Sequence, residues 1–232
     1  MDSLRSLNKE LIRCEKCPRL RTHCAKLART KRRAYKNEQY WGKPVPGFGA
    51  PNPDLWIVGL APGAHGANRT GRVFTGDSSG DWLYPALFRY GFSSIPSSIS
   101  KQDGLILKDT YISCICRCAP PENRPLPEEI RACHSFLIRE WSLLHHPSLI
   151  LALGKIAFDQ VIRLLMGHYQ ISKDPRWLFK HLAEYKIGTT QLMASYHPSR
   201  QNTSTGRLTL PMWNKVFQKA KEHLENHSSS KN

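Results

Sequence analysis

Residues 55–77 constrain this chain more than any other stretch. An apolar run, Leu55-Trp56-Ile57-Val58-Gly59-Leu60, opens into Ala61-Pro62-Gly63-Ala64-His65-Gly66-Ala67 and then Asn68-Arg69-Thr70-Gly71-Arg72-Val73-Phe74-Thr75-Gly76-Asp77. The run has strand length. The loop after it is too polar for a core element and too long for a simple connection. Its glycines let backbone approach a ligand closely. In α/β proteins, a strand opening into such a loop marks a ligand site at the strand's carboxyl end. The nucleotide motifs do not fit. Gly66 to Gly71 has P-loop spacing, but Arg72-Val73 stands next in place of Lys and a hydroxyl residue, and no Gly-x-Gly-x-x-Gly occurs. These absences argue against a P-loop kinase and a Rossmann dehydrogenase.

The rest of the pattern alternates strands with helices. Short capped and basic helices are expected over 3–13 and 18–33, the second with Pro18 in its first turn. Strands are expected at 55–60, 111–116, 149–153 and 191–195. Helices are expected over 77–90, 127–144, 154–166 and 210–224, succeeded by a frayed polar tail over 225–232. The alternation predicts an α/β fold: one domain over residues 1–232, a three-layer α/β/α sandwich around a four-stranded parallel sheet. No apolar run approaches the roughly 18 residues of a membrane span, and the N-terminus lacks the apolar region of a signal peptide. A cytoplasmic protein, monomeric and free of membranes, is the default expectation.

Lys and Arg total 34 against 18 Asp and Glu, a formal net charge of +16. Such an excess favours a polyanionic partner. Residues 19–36 carry Arg19, Arg21, Lys26, Arg29, Lys31, Arg32, Arg33 and Lys36 without a single acid. This stretch reads either as a nucleic-acid contact or as a solvated face. The seven cysteines, an odd number without a secretory signal, argue against a disulfide framework. Cys14-x-x-Cys17 suits a metal or cluster, and also a redox pair. With Cys118 and Cys133 it could make a four-thiolate site for a [4Fe–4S] cluster or for zinc. Cys24 reads as a helical residue, and Cys114 and Cys116 as buried strand cysteines.

Three loops that come after strands carry the unusual chemistry. They are the glycine loop, Arg117-Cys118-Ala119-Pro120-Pro121-Glu122-Asn123-Arg124-Pro125, and Tyr196-His197-Pro198-Ser199-Arg200-Gln201-Asn202-Thr203-Ser204-Thr205-Gly206-Arg207. In this order they resemble the uracil-DNA glycosylase superfamily, most closely its type b, or family 5, branch. Tyr40-Trp41-Gly42 and Pro44-Val45-Pro46-Gly47-Phe48 share the likeness, which extends from about Cys14 to the last helix. Gly63 and Arg124 depart from the alanine and lysine common in the branch. The resemblance implies a base-flipping DNA repair enzyme that removes uracil, and other deaminated bases such as hypoxanthine, to leave an abasic site. It implies a [4Fe–4S] cluster on Cys14, Cys17, Cys118 and Cys133; Cys114 and Cys116 fall outside the match, which leaves Cys116 open as an alternative ligand.

The same likeness implies roles for single residues. Glycosidic cleavage builds an oxocarbenium-like sugar while the base leaves with negative charge. The resemblance assigns Asp77 to the sugar and water, although a helix cap reads as well from the residues alone. His197 would donate to the departing base, although His-Pro is also a turn. Asn123, catalytic or recognising the base edge, is otherwise a turn residue. Phe74 would stack on the flipped base, and Gly59, Ala61, Pro62, Gly63 and Ala64 would line the pocket. Leu60 stands where other branches place an acid or amide, and it can do neither job. Lys155, Ser199, Arg200, Gln201 and Asn202 would contact or enter the duplex. Two other readings compete: a non-catalytic damage binder, and an iron–sulfur nuclease.

Overall fold

The structure is a computed structural model, and it describes residues 3–229, with side chains through His227. Residues 1–2 and 230–232 lie outside the described residues. In chain order the elements are α1 (Leu4–Ile12), α2 (Pro18–Thr30), a 3₁₀ turn at Arg33–Tyr35, β1 (Phe48–Gly49), β2 (Leu55–Gly59), α3 (Ala67–Thr70), α4 (Gly80–Arg89) and β3 (Thr110–Cys114). After a 3₁₀ turn at Pro121–Asn123 come α5 (Pro127–Leu143), β4 (Leu149–Leu153), α6 (Lys155–Tyr169), β5 (Glu184–Ile187), β6 (Thr190–Ser195), α7 (Arg200–Ser204) and α8 (Leu210–Ser229).

The sheet corrects the expectation of four parallel strands. It is six-stranded and mixed, ordered β1-β3-β2-β4-β6-β5. The four expected strands form its parallel centre, with Val58 beside Ser113 on one side and Ala152 on the other. Two antiparallel edge strands complete it. Every residue of β2, β3 and β4 is buried, which is why these strands read as continuous apolar runs. The edges lack that signal: β1 has two residues, and β5 alternates exposed and covered positions.

Side chains alternate across the sheet into two cores. Leu55, Ile57, Ile112, Leu151 and Met193 face Leu83, Leu87, Trp213 and Phe217 of α4 and α8. Trp56, Val58, Ile150, Ala152 and Leu192 face Leu137, Trp141, Phe158 and Leu165 of α5 and α6. The N-terminal α1 rests on α5 through Leu7, Leu11 and Phe136.

Helix bounds differ from expectation where local chemistry intervenes. The helix expected from residue 77 starts at Gly80, because Asp77 closes a turn ahead of it. The expected frayed tail is helical through Ser229. α2 ends at Thr30, since Lys31 turns to φ 50°. Two short helices inside the loops, α3 and α7, have no signature in the sequence pattern. One consequence positions the site. The chain leaves β2 for β3 on one side and later returns to β4 on the other, so the carboxyl end of β2 is the topological switch point of the sheet.

Candidate active site

From that switch point the glycine loop folds back on itself. Gly71 closes α3 at φ 73°, and its amide donates to Ala67 O. The two loop arginines brace the loop rather than project from it. Arg72, 4% exposed, donates from Nε to Thr75 Oγ1 at 3.1 Å, from Nη2 to Ser98 Oγ at 2.6 Å and from Nη1 to Asp103 at 2.9 Å. Asp103 is held down to a pKa of about 2, Arg72 and three backbone amides outweighing its burial. Arg69 pairs with Glu38, lies over the Tyr35 ring at 4.0 Å and donates to His65 O at 2.7 Å.

These braces hold Phe74 at φ 51°, a conformation a bulky residue adopts at a cost of about 1–3 kcal/mol. Tyr84 Oη donates to Val73 O at 2.9 Å, anchoring the preceding peptide. The ring of Phe74 lies over Gly59, where a Cβ would come within 2.8 Å of it. The same ring stacks on His197 from the β6 loop, with centroids 5.8 Å apart and planes 28° apart. His197 comes after β6, two strands away in the sheet from β2, so this contact joins the two loops into one site.

Asp77 lies on the inner side of the loop. Its Oδ1 accepts from the amides of Ser79 at 3.1 Å and Gly80 at 3.0 Å, which is the capping role. Its Oδ2 faces two glycines: a Cβ on Gly63 would lie 2.9 Å away and one on Gly66 only 1.9 Å. No cation pairs with it among the described residues. Although part of its surface reaches solvent, it is densely surrounded, and burial raises its pKa against the pull of the two amides. His197 is packed even more closely, and burial lowers its pKa to about 4, so the imidazole is neutral near pH 7. A half-buried carboxylate with one free oxygen and a neutral imidazole beside an aromatic ring can orient water, stabilise a cation and donate to an anion.

Other expected site residues are placed less centrally. Gly59 and Pro62 are buried beneath the loop, with Ala61 and Ala64 partly covered. Asn123 ends the 3₁₀ turn after β3 at φ 58°, exposed, its backbone amide bonded to Pro120 O at 3.2 Å. Ser199 caps α7, accepting from the Asn202 amide. Asn202 Nδ2 donates to His197 O at 2.9 Å, so it braces the histidine; Arg200 and Gln201 stay exposed on the first turn. Lys155 begins α6 and pairs with Asp159 at 2.6 Å, an exposed pair that water screens.

The second constellation is a cavity between α2, α5 and the β3 loop. Cys14, Cys17, Cys118 and Cys133 line it, with Lys16, Arg21, Arg117 and Phe136. All seven cysteines are free. Among the described residues, no three His, Cys, Asp or Glu side chains converge to hold a single metal ion. The four thiols surround a shared space instead. Cys116 packs against Cys133 but does not line that space, and Cys24 donates to Ala119 O at 3.6 Å. Cys114 is buried beneath Gly59.

Beneath this cavity lies a group missing from the sequence expectations. Arg117 and Glu140 form an ion pair, 1% and 0% exposed, with Arg117 Nη1 to Glu140 Oε1 at 2.8 Å and Tyr111 Oη donating to the same oxygen at 3.2 Å. Nothing local signals it, because the partners are 23 residues apart. The one hint is an arginine beside a cysteine at the end of an otherwise apolar run.

Comparison with known proteins gives the family. The model of the uracil DNA glycosylase superfamily matches residues 46–223. A protein of Thermus thermophilus named "Type-5 uracil-DNA glycosylase" is 47% identical over 91% of this chain and 94% of its own length. Proteins of that name from Mycobacterium tuberculosis and Pyrobaculum aerophilum are 45% and 40% identical, over 95% and 90% of this chain and 81% and 88% of theirs. The chain belongs to the uracil DNA glycosylase superfamily. Among the described residues no helix is long and apolar enough to cross a membrane.

Proposed function

We propose that this protein is a uracil-DNA glycosylase of the type-5 kind, hydrolysing the N-glycosidic bond of uracil in DNA and leaving an abasic site. One observation carries the reading: Asp77 is a half-buried carboxylate with no cation partner among the described residues, facing a glycine wall, in a loop joined to a neutral His197. Burying such a group costs stability, and active sites are where that cost is retained. Phe74 offers a ring face to the flipped base, worth roughly 1–3 kcal/mol. Asp77 Oδ2 positions water and offsets the positive charge of the sugar. His197 donates to the base as it departs with its negative charge. Asn123 reads the base edge, Ala61, Pro62 and Ala64 line the pocket, and Gly59 and Gly63 complete it by admitting the Phe74 ring and Asp77 Oδ2. Ser199, Arg200, Gln201 and Asn202, with Lys155, face the duplex. Leu60 makes the floor less polar, and this supports substrates beyond uracil, hypoxanthine among them.

Cys14, Cys17, Cys118 and Cys133 would hold a [4Fe–4S] cluster. The all-thiol donor set, its common cavity and the surrounding Lys16, Arg21 and Arg117 fit an anionic cluster. When bound, the cluster cross-links the N-terminal helices to the β3 loop and α5, and hydrolysis needs no redox step from it. The protein acts on DNA as a monomer. The test is a panel of duplexes, each with one uracil or hypoxanthine, assayed for abasic sites. Base release from uracil is expected. Strand cleavage without base loss would support a nuclease instead, and damage-selective binding without release a non-catalytic binder.

A further inference from the structure

His65 lies between the two glycines that face Asp77, yet its ring points to another partner. Nδ1 is 3.0 Å from the hydroxyl of Tyr40, and the same hydroxyl receives the backbone N–H of Arg32 at 3.2 Å. Tyr40 is 7% exposed, and among the described residues its hydroxyl proton has one acceptor within reach, Nδ1 of His65. The chain of bonds therefore runs from Arg32 N–H to Tyr40 O–H to His65 Nδ1. It fixes the neutral imidazole as the tautomer protonated on Nε2. Nε2–H is then a donor without a partner among the described residues, on a ring that is partly open to solvent.

The surroundings are cationic. Burial, then Arg32 and Arg69, keep the His65 pKa below its ordinary value. Arg69 is spent on Glu38. Arg32 is exposed and makes no ion pair among the described residues, and Arg33 beside it is the same. The segment is not a loose tail. Tyr35 lies under Arg69 of the glycine loop, and the amides of Trp41 and Gly42 bond to Arg69 O at 2.8 Å and Asn68 O at 3.0 Å. The bare arginines are thereby registered to the catalytic loop, in a segment that runs on to bond Val45 N to Arg117 O beyond β3 at 2.7 Å and to pair β1 with β3, whereas His197 comes after β6 on the other side of β2.

We propose that His65 Nε2–H and the Arg32 guanidinium together bind a backbone phosphate of the DNA strand flanking the flipped nucleotide, with Tyr40 as the positioning residue that fixes the tautomer of His65. This rests on the glycosylase reading and adds a phosphate contact on the side of the site away from the His197 loop. A neutral N–H donor beside one unpaired guanidinium suits a singly charged phosphodiester.

The experiment measures binding of the full protein to a uracil-containing duplex across a salt series, with abasic-site formation by the wild type on the same duplex. Arg32→Ala should lower the slope of log K against log salt by about 0.9, one phosphate's worth of released counterions. His65→Ala should weaken binding about tenfold with an unchanged slope, because the lost donor is neutral, and His65→Gln should recover part of the loss. Nitrogen-detected NMR should show His65 protonated on Nε2 in the wild type and a tautomer mixture in Tyr40→Phe. Lys186→Ala, an exposed charge on the far edge strand, should leave the slope unchanged. If Arg32→Ala leaves the slope intact, or Lys186→Ala lowers it equally, the flank does not bind phosphate. Nδ1 protonation in the wild type also overturns the proposal. Absence of base release by the wild type would instead remove the glycosylase reading, whatever the slopes.

Discussion

The glycine-loop site and the region beneath the thiol cavity both bury ionisable groups, but on opposite terms. Under the cavity Glu140 is completely buried, and each of its oxygens has a partner: Arg117 on both, Tyr111 on one. Glu129, nearby on α5, pairs with Arg19 and receives the Leu126 amide at 2.7 Å. In the glycine loop Asp77 has amides on one oxygen and no cation among the described residues, and His197 has its ring against Phe74. Charge that is buried and matched holds a fold in one arrangement. Charge that is buried and unmatched persists where it serves a reaction. On the proposed reading, the contrast separates scaffold from machinery.

Asp77→Asn tests it most severely. The substitution keeps the acceptor for the Ser79 and Gly80 amides and removes the charge. Single-turnover uracil release should fall roughly 10²–10⁴-fold. The protein should be no less stable at pH 7, because a desolvated carboxylate has been removed. Near-wild-type release from a folded variant would reduce Asp77 to its capping role. The pH profile sharpens the point. Burial raises the Asp77 pKa, so activity should fail on acidification through a midpoint above the ordinary carboxylate value. A midpoint at or below that value would show Asp77 is not the titrating group.

On the matched side the prediction reverses in kind. Glu140→Ala strands the Arg117 charge in the core and should cost about 3–5 kcal/mol in denaturant unfolding. Arg117→Met combined with Glu140→Leu removes both charges and should recover most of that loss. If the double variant is as unstable as the single one, the pair is not a self-contained structural unit.

Legibility in the sequence divides along the same line. The central strands are readable because burial on both faces leaves uninterrupted apolar runs, as in Leu149-Ile150-Leu151-Ala152-Leu153. The site loops are readable because their chemistry is contiguous: Phe74 and Asp77 lie three residues apart. Contacts across the chain are not. Glu140 pairs with Arg117, Arg72 with Asp103 and His65 with Tyr40, at separations of 23, 31 and 25 residues. No local periodicity encodes such distances. Cys14-x-x-Cys17 announces a thiol site and Cys118 and Cys133 are candidates to complete it, but only the resemblance favours them over Cys116, which packs against Cys133. Nor does the local sequence show that the glycine-loop arginines are braces, since Arg69 reaches Glu38 and Arg72 reaches Asp103, each 31 residues away.

His197 gives an effect of intermediate size. Its folded pKa of about 4 lies below the ordinary value of about 6.5, so the unfolded chain binds the extra proton between those pH values. The stability that neutral His197 contributes is complete above about 6.5 and is lost as pH falls toward 4, by up to about 3 kcal/mol. His197→Gln should flatten that window in pH-dependent unfolding while slowing base release through the lost donor. An unchanged slope between about pH 6.5 and 4 would mean the imidazole is freely protonated in the fold, and a neutral leaving-group donor would no longer be tenable.

The smallest effect belongs to Cys24 beside the cavity, where neighbouring cysteines differ in role. Cys14→Ala or Cys133→Ala should abolish the brown colour and most of the iron of anoxically purified protein, and with them solubility, because the proposed cluster then lacks a ligand. Cys24 is fully buried, adjoins Cys118 and spends its thiol on Ala119 O at 3.6 Å, outside the lining of the cavity. Cys24→Ala should therefore leave iron content at about four per chain and cost only about 1 kcal/mol, the worth of a small buried side-chain contact. Cys24→Ser should behave alike, since a hydroxyl can donate to the same carbonyl. Iron analysis with visible absorption decides between the two groups. Loss of iron in Cys24→Ala, with iron retained in Cys14→Ala, would exchange their roles and relocate the cluster toward α2.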